Sequence, residues 1–169
     1  KHIDDTIIAG DGLCNKHIVE IVIKEGVDRI NEIIEWGARF DKEADGDYKL
    51  GKEGGHSESR ILHHKDVTGR EMERALLEAI NRKPNIKLLN HCFVLDIITQ
   101  HHLGYLITKA TPDVECYGVY VLNLGTNKTE KILSKITLLA AGGNGQVYRS
   151  TTNPAIATGD GVAMVYRAK

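Results

Sequence analysis

The chain has 169 residues, of which 41% are hydrophobic and 27% are charged, and its formal net charge is −1. This mixture is typical of a soluble globular protein that can bury a core, whether the chain is one domain or part of a larger one. The lysines and arginines are scattered, and no apolar run approaches the ~20 residues needed to cross a bilayer, so we expect neither a nucleic-acid nor a membrane partner. The three cysteines stand far apart, which argues against a disulfide framework and favours a reducing compartment.

Two amphipathic helices are predicted in the first half of the chain. In residues 17–36, isoleucines and a valine recur on one stripe with charged residues between them, and Gly37 is suited to end the helix. The second helix is predicted to begin at Thr68, which can act as N-cap. Glu71, three residues later, would complete a capping box. Pro84 is then expected to stop this helix.

The second half predicts strands followed by one more helix. Residues 86–99 are rich in apolar and β-branched side chains, which is typical of a buried strand. Residues 117–124 and 131–141 predict two further strands, joined by a turn. A final helix is predicted from residues 159–161 through Ala168, and the sequence ends at Lys169 inside it. This order of elements indicates an α/β fold with an inserted antiparallel β-meander.

A glycine pattern near the start resembles a dinucleotide-binding loop but lacks its context. Residues 10–14 imitate the beginning of GxGxxG, yet Asn15 stands where the third glycine belongs. A buried strand does not precede the pattern, although the fingerprint requires strand, tight turn and helix N-terminus together. We therefore predict a turn that leads into the first long helix.

Two later motifs are better candidates for contact with a flat ligand. The predicted third strand ends in Gly142 and Gly143, where the lack of a Cβ lets the backbone pass close to a ligand. Asp160 lies between two glycines at a predicted helix start, where its carboxylate can cap amides or accept bonds from ligand hydroxyls. A turn and a plain N-cap are the alternatives for these two motifs.

A polar loop in the first half gathers groups that are typical of an active site. Residues 53–57, with the sequence EGGHS, combine the Glu53 carboxylate, the His56 imidazole and the Ser57 hydroxyl on flexible backbone. A metal site is the alternative, because two pairs of adjacent histidines are also present. Adjacent histidines point in different directions and no HxxxH, HxH or CxxH spacing occurs, so we expect no metal.

Together these motifs resemble the L-aspartate oxidase family, and the resemblance covers essentially the whole chain. Its first part is EGGHS followed by RILH at residues 60–63 and by Asp66, Thr68, Gly69 and Arg70. Its second part comprises residues 140–143, 147–148, 151–154 and 159–161, and is shared with the flavoprotein subunits of succinate dehydrogenase and fumarate reductase. One departure is Ala141, where the family usually has threonine.

The resemblance implies a position within a larger fold. It implies that the chain is the middle portion of a Rossmann-like FAD-binding domain, after the GxGxxG unit and before the capping and helical domains. The first residue, Lys1, is not a methionine, and we expect both ends to continue in a longer protein. The family's catalytic arginine would lie downstream, so no catalytic residue is expected in this chain.

The resemblance also implies roles for individual residues. It places Asp160, Gly142 and Gly143 at the FAD, together with the backbone around Phe93 and Val94. Glu53 matches a residue that helps to orient the substrate, and His56 and Ser57 are further candidates beside it. A carboxylate there would pair with the α-ammonium of an amino acid, and the dicarboxylate reductases lack a matching glutamate.

The implied activity is the oxidation of L-aspartate to iminoaspartate with noncovalent FAD and with oxygen or fumarate as acceptor. This reaction is the first step of de novo NAD biosynthesis and would supply quinolinate synthase in the cytoplasm. Two alternatives remain at this stage: a fumarate reductase or succinate dehydrogenase flavoprotein subunit, and a non-catalytic module that has kept the fold.

Overall fold

The computed structural model describes residues 1–168 and divides into two compact units. The first unit comprises residues 1–88 and the second begins at residue 89. Lys169, where the final predicted helix meets the end of the sequence, lies outside the described residues.

The first unit is built from three helices and a very short antiparallel strand pair. Its elements are α1 (His2–Ala9), α2 (Lys16–Glu35), β1 (Leu50–Gly51), β2 (Ile61–Leu62) and α3 (Thr68–Asn81). Its core consists of Ala38, Phe40 and Ala75, with Ile33, Ile34, Leu62 and Met72 packed against them. The core therefore joins the end of α2 to α3 and β2.

The predicted first long helix is confirmed to within one residue at each end. It begins where the Asn15 side chain accepts a hydrogen bond from the Ile18 amide (3.3 Å), so the residue that breaks the GxGxxG pattern is an N-cap. It ends before Gly37, which has a φ of +109°. The Ala38 amide then donates to the Ile33 carbonyl (3.1 Å), which satisfies a carbonyl of the last turn. The helix α1 was not predicted.

The predicted capping box at α3 is wrong, although the helix itself is confirmed. Thr68 is the first helical residue, and its hydroxyl accepts a hydrogen bond from the His64 amide (3.1 Å). The buried Glu71 carboxylate instead accepts bonds from the Arg39 amide and the Arg74 guanidinium, each about 2.8 Å long or shorter. The Arg74 guanidinium bonds both oxygens of Glu71 and supplies a charged, two-point partner that a cap amide does not, which favours this arrangement.

The second unit contains an antiparallel sheet of order β3-β4-β5 and a helix, which confirms the predicted meander. Its elements are β3 (Cys92–Thr99), β4 (Cys116–Asn123), β5 (Lys128–Leu133) and α4 (Asp160–Ala168), with short 3₁₀ turns at Gln100–Leu103 and Gly145–Val147. Its buried apolar residues are Ile97, Ile98, Ile107, Val121, Ala157 and Met164.

Two predicted strands are shorter than expected because β4, the strand with which both pair, is itself short. The strand predicted for residues 86–99 begins only at Cys92, opposite Asn123, the last residue of β4. The strand predicted for residues 131–141 ends at Leu133, opposite Gly118. β4 begins only two residues before Gly118, so residues beyond 134 find no ladder partner. The prediction that a strand leads directly into Gly142 is therefore wrong.

Within residues 1–168, no helix combines the length and the apolar character needed to cross a membrane.

Candidate functional site

The EGGHS sequence lies in a loop that joins β1 to β2. The two strands pair Gly51 with Ile61, and the Arg60 amide donates to the Gly51 carbonyl (2.9 Å) at the base of the loop. Inside the loop, the His56 amide donates to the Glu53 carbonyl (3.1 Å), which closes a tight turn. Gly55 has a φ of +83°, a conformation that favours glycine. The turn links Glu53 and His56 directly.

The central attachment of the loop to α1 is the Asp5 carboxylate. Oδ2 of Asp5 accepts hydrogen bonds from the amide and the hydroxyl of Ser57 (2.8 Å each) and from the Arg60 guanidinium. The Arg60 guanidinium also donates to the Ser57 hydroxyl (3.2 Å). These bonds hold the pKa of Asp5 well below its ordinary value, chiefly through the Ser57 amide, then the Ser57 hydroxyl and Arg60. Asp5, Ser57 and Arg60 form what we name the loop anchor.

The three candidate residues of the loop differ in whether their side chains already have partners within the protein. The Glu53 side chain is exposed, and its carboxylate has no hydrogen-bond or ion-pair partner within residues 1–168. The Ser57 hydroxyl is already bound to Asp5 and Arg60, so it supports the loop. The half-buried His56 ring stands edge-on to His2, with ring centroids 6.4 Å apart. Only Glu53 presents an uncommitted charge.

The glycine pair and the Asp160 motif are brought together in the second unit. The Gly159 amide donates to the Gly143 carbonyl (3.2 Å), and the Gln146 amide donates to the Ala157 carbonyl (2.9 Å). Two motifs separated by more than a dozen residues in sequence are thus joined side by side. A cleft of about 350 Å³ lies between residues 139–142 and the first turns of α4, where Gly161, Val162 and Val165 line it.

The two glycines that flank Asp160 are explained by this close approach. A Cβ at Gly159 would lie 2.9 Å from the Asn144 Cβ, and Gly159 has a φ of +80°. A Cβ at Gly161 would lie 3.2 Å from the Ala141 Cβ. Gly142 and Gly143 differ, because a Cβ at either position would meet no atom within 4 Å. Close packing therefore accounts for the glycines around Asp160. In the glycine pair, the φ of +78° favours glycine at Gly142, whereas neither packing nor φ accounts for Gly143.

Asp160 is the first residue of α4, as predicted. Its Oδ2 accepts a hydrogen bond from the Thr158 hydroxyl (2.8 Å), and the carboxylate remains exposed. A carboxylate in the first turn of a helix also interacts favourably with the positive end of the helix dipole. One oxygen of Asp160 is therefore held in place while the group still faces solvent.

Phe93 and Val94 lie on β3, paired with Leu122 and Val121. Immediately after them the ladder is irregular, and Arg167 of α4 bonds there to the Asp96 carboxylate (3.0 Å) and the Leu95 carbonyl (3.1 Å). This contact ties α4 to the strand next to Val94. Within the described residues, hydrogen bonds do not connect Phe93 or Val94 to the glycine pair or to Asp160.

Asp5 is a residue of this region that no sequence pattern indicated. Its contacts with Ser57 and Arg60 span more than 50 residues of sequence, and an aspartate in a short helix carries no local pattern that would indicate them. Among the described residues, a group of three or more His, Cys, Asp or Glu side chains that could hold a metal ion does not occur.

The sequence profile of the FAD binding domain family matches residues 1–169. The chain belongs to this family. FAD is accordingly the cofactor, as the resemblance implied. The exposed glycine pair, open to close approach by a ligand, fits an FAD-binding domain.

Named relatives agree with this membership. An L-aspartate oxidase of Nicotiana tabacum is 48% identical over the whole chain, which covers 25% of that protein. An L-aspartate oxidase of Arabidopsis thaliana is also 48% identical over the whole chain, which again covers 25% of that protein. An L-aspartate oxidase of Yersinia pestis is 42% identical over 99% of the chain and 31% of its own length. The predicted resemblance to the L-aspartate oxidases is confirmed, and the chain spans a quarter to a third of these relatives.

Solved structures confirm the predicted fold class. A quinol fumarate reductase of E. coli superposes with a TM-score of 0.81 at 28% identity, over 98% of this chain and 26% of that one. Sdh1 of Mycobacterium smegmatis gives a TM-score of 0.80 at 26% identity, over 99% and 28%. The fold is that of an α/β FAD-binding domain with an antiparallel insertion.

Proposed function

We propose that this chain is the middle portion of the FAD-binding domain of an L-aspartate oxidase, which oxidises L-aspartate to iminoaspartate. The observation that carries the proposal is the free Glu53 carboxylate, held on an anchored loop with the sequence EGGHS. The identity of 48% to proteins named L-aspartate oxidase supports it, against 28% to a fumarate reductase.

Glu53 supplies the feature that an amino-acid substrate requires. L-aspartate carries an α-ammonium group, which succinate lacks. A carboxylate without a protein partner can form a charge-assisted hydrogen bond with that cation and so orient the substrate Cα. His56 follows Glu53 in the same turn and would line the same space, whereas Ser57 would hold the loop.

The second unit supplies groups for the cofactor. The open backbone at Gly142 and Gly143 and the exposed oxygen of Asp160 would contact FAD, with the backbone of Phe93 and Val94 as a further contact. When bound, FAD accepts a hydride from the substrate. We propose that it is held noncovalently and that oxygen or fumarate reoxidises it.

The remaining parts of the proposal concern the longer protein. The relatives are about three to four times as long as this chain, so the GxGxxG unit, the cap and the catalytic arginine would lie in the rest of the protein. The product would feed quinolinate synthase in NAD biosynthesis. A cytoplasmic location is also proposed, and cell fractionation tests it, with the chloroplast as the alternative raised by the names of the plant relatives.

The direct test is turnover by the complete flavoprotein. We expect the purified protein to contain FAD and to release hydrogen peroxide with L-aspartate but not with succinate. Oxidation of succinate in place of aspartate would select the fumarate reductase alternative, and absence of flavin would contradict the proposal. We expect residues 1–169 alone to hold FAD weakly and to be inactive, so stoichiometric yellow flavin on that piece would contradict its assignment as a partial domain.

A further inference from the structure

We propose that Asp5 is a positioning residue, whose carboxylate fixes the loop that carries Glu53 and thereby aims Glu53 at the substrate. This inference rests on the proposed function for its effect on catalysis. The contact itself is visible in the first unit alone.

Three donors converge on one oxygen of Asp5: the Ser57 amide, the Ser57 hydroxyl and the Arg60 guanidinium. Further contacts from α1 and the residue before it reinforce the attachment. Lys1 forms an ion pair with Glu58, and His2 meets His56 edge-on. The loop is therefore fastened to α1 at several points along its second half, and Asp5 is the central one.

Because the pair is shielded from water, loss of Asp5 should strongly destabilise the position of Arg60. The side chains of Asp5 and Arg60 are only 13% and 16% exposed. Nη2 of Arg60 makes the bonds to Asp5 and Ser57, and its Nη1 is buried with no hydrogen-bond partner within the described residues. Removing one member of a largely buried pair leaves an uncompensated charge, which favours rearrangement. Without Asp5, we expect the Arg60 guanidinium to turn towards solvent and to release the loop.

The anchor and Glu53 are joined by a short, hydrogen-bonded turn. Ser57 is four residues after Glu53, and the bond from the His56 amide to the Glu53 carbonyl (3.1 Å) closes the intervening turn. A shift of Ser57 is thus transmitted to Glu53. Misplacement of a substrate-orienting group by about 1 Å can cost about 10²-fold in rate.

The test uses Asp5→Ala in the complete flavoprotein, with Asp4→Ala as the matched control. Asp4 lies on the same helix, but its side chain is 77% exposed and, within the described residues, forms no bond to Ser57 or Arg60. We expect D5A to raise KM for L-aspartate several-fold, up to the factor of about ten that loss of the Glu53 charge itself would cause, with FAD content unchanged, and D4A to leave KM unchanged. Equal KM values for D5A and D4A would overturn the proposal.

A double variant separates positioning from general destabilisation. If Asp5 acts through Glu53, D5A should add little to the loss of kcat/KM already caused by Glu53→Gln, because coupled residues are not additive. Full additivity would overturn the proposal. If D5A does not fold, Ser57→Ala replaces it, since it removes one of the bonds to Asp5; it should raise KM by a smaller factor, and an unchanged KM would also count against the anchor.

Amide hydrogen exchange keeps this inference distinguishable from the proposed function. Amides of residues 53–57 should exchange faster in D5A than in D4A, whatever the substrate proves to be. If the wild-type protein does not oxidise L-aspartate, the proposed function fails while faster exchange still supports the anchor. Unchanged exchange in D5A would refute the anchor even in an active enzyme.

Discussion

The loop at residues 52–60 and the segment at residues 134–159 are both irregular, but they are held in different ways. The loop is closed by β1 and β2 at its base and fastened through the buried pair of Asp5 and Arg60. The segment is held mainly by backbone bonds near its end, while Ile136 and Leu138 are 86% and 89% exposed. The loop is shaped by its own unit, whereas much of the segment's surface is left for other atoms to cover. We therefore expect substitutions in the loop to change KM for L-aspartate, and substitutions in the segment to change the affinity for FAD.

Gly143→Val tests the segment and should have the largest effect. A side chain at this position meets no protein atom within 4 Å of its Cβ and its backbone has an ordinary φ, so the apo protein should unfold at the same denaturant concentration. If FAD passes close to this backbone, its affinity should fall by about 100-fold or more, or about 2.7 kcal/mol. Gly69→Ala, at another open glycine, is the control for FAD titration. Unchanged FAD affinity in G143V would remove the glycine pair from the cofactor site.

Asp160→Ala should weaken FAD binding less. Loss of a hydrogen bond to a charged group costs about 1.5–3 kcal/mol, which corresponds to about 10- to 100-fold in the dissociation constant. Thr158→Val is the matched variant, because it removes the hydroxyl that bonds Asp160 but leaves the carboxylate. Similar FAD affinities for the two variants would mean that Asp160 only shapes the start of α4.

Glu53→Gln tests whether the loop affects substrate binding without affecting FAD binding. The amide keeps the size of the side chain and loses its charge, so KM for L-aspartate should rise about tenfold while FAD affinity stays the same. Glu43→Gln, at an exposed position of the same unit, is the control. A fall in FAD affinity of E53Q, or an unchanged KM, would contradict the separation of the two regions.

The smallest effect is expected from Glu71, which ties α3 to the segment after α2. The hydrogen bonds from the Arg74 guanidinium, and then from the Arg39 amide, lower the pKa of Glu71 from 4.5 to about 2. Because the folded-state pKa is depressed, this group stabilises the fold fully above about pH 4.5 and progressively less as the pH falls towards 2. The difference in unfolding free energy between wild type and Glu71→Gln should therefore be constant near neutral pH and shrink below about pH 4.5. Glu73→Gln, at an exposed position of the same helix, should show no such change in urea titrations.

Local patterns predicted α2, α3 and α4 well, but missed α1 and predicted the strand ends poorly. The apolar stripe and the terminal Asn15 and Gly37 lie within α2 or next to it, so a single segment contains the information. The end of β5 at Leu133 depends instead on where β4 begins, which local composition does not encode. The motif around Asp160 was recognisable because it lies within one short segment. The hydrogen bond from the Gly159 amide to the Gly143 carbonyl was not, because it joins two segments.

The loop shows the same limit at the candidate site. The EGGHS sequence indicated a functional loop from its residue types and its family resemblance. Asp5, which holds that loop, is visible only when residues 52 positions apart are brought into contact. Sequence patterns therefore suggested groups that could meet ligands, but gave no indication of the contact between Asp5 and the loop.

The decisive experiment is a crystal structure of the complete protein with FAD. We expect the Gly142–Gly143 backbone and the Asp160 carboxylate to contact the cofactor, and the Glu53 carboxylate to face the space beside the flavin ring where the substrate Cα would lie. A structure in which FAD binds away from the glycine pair and Asp160, or in which Glu53 points away from the flavin, would contradict this expectation.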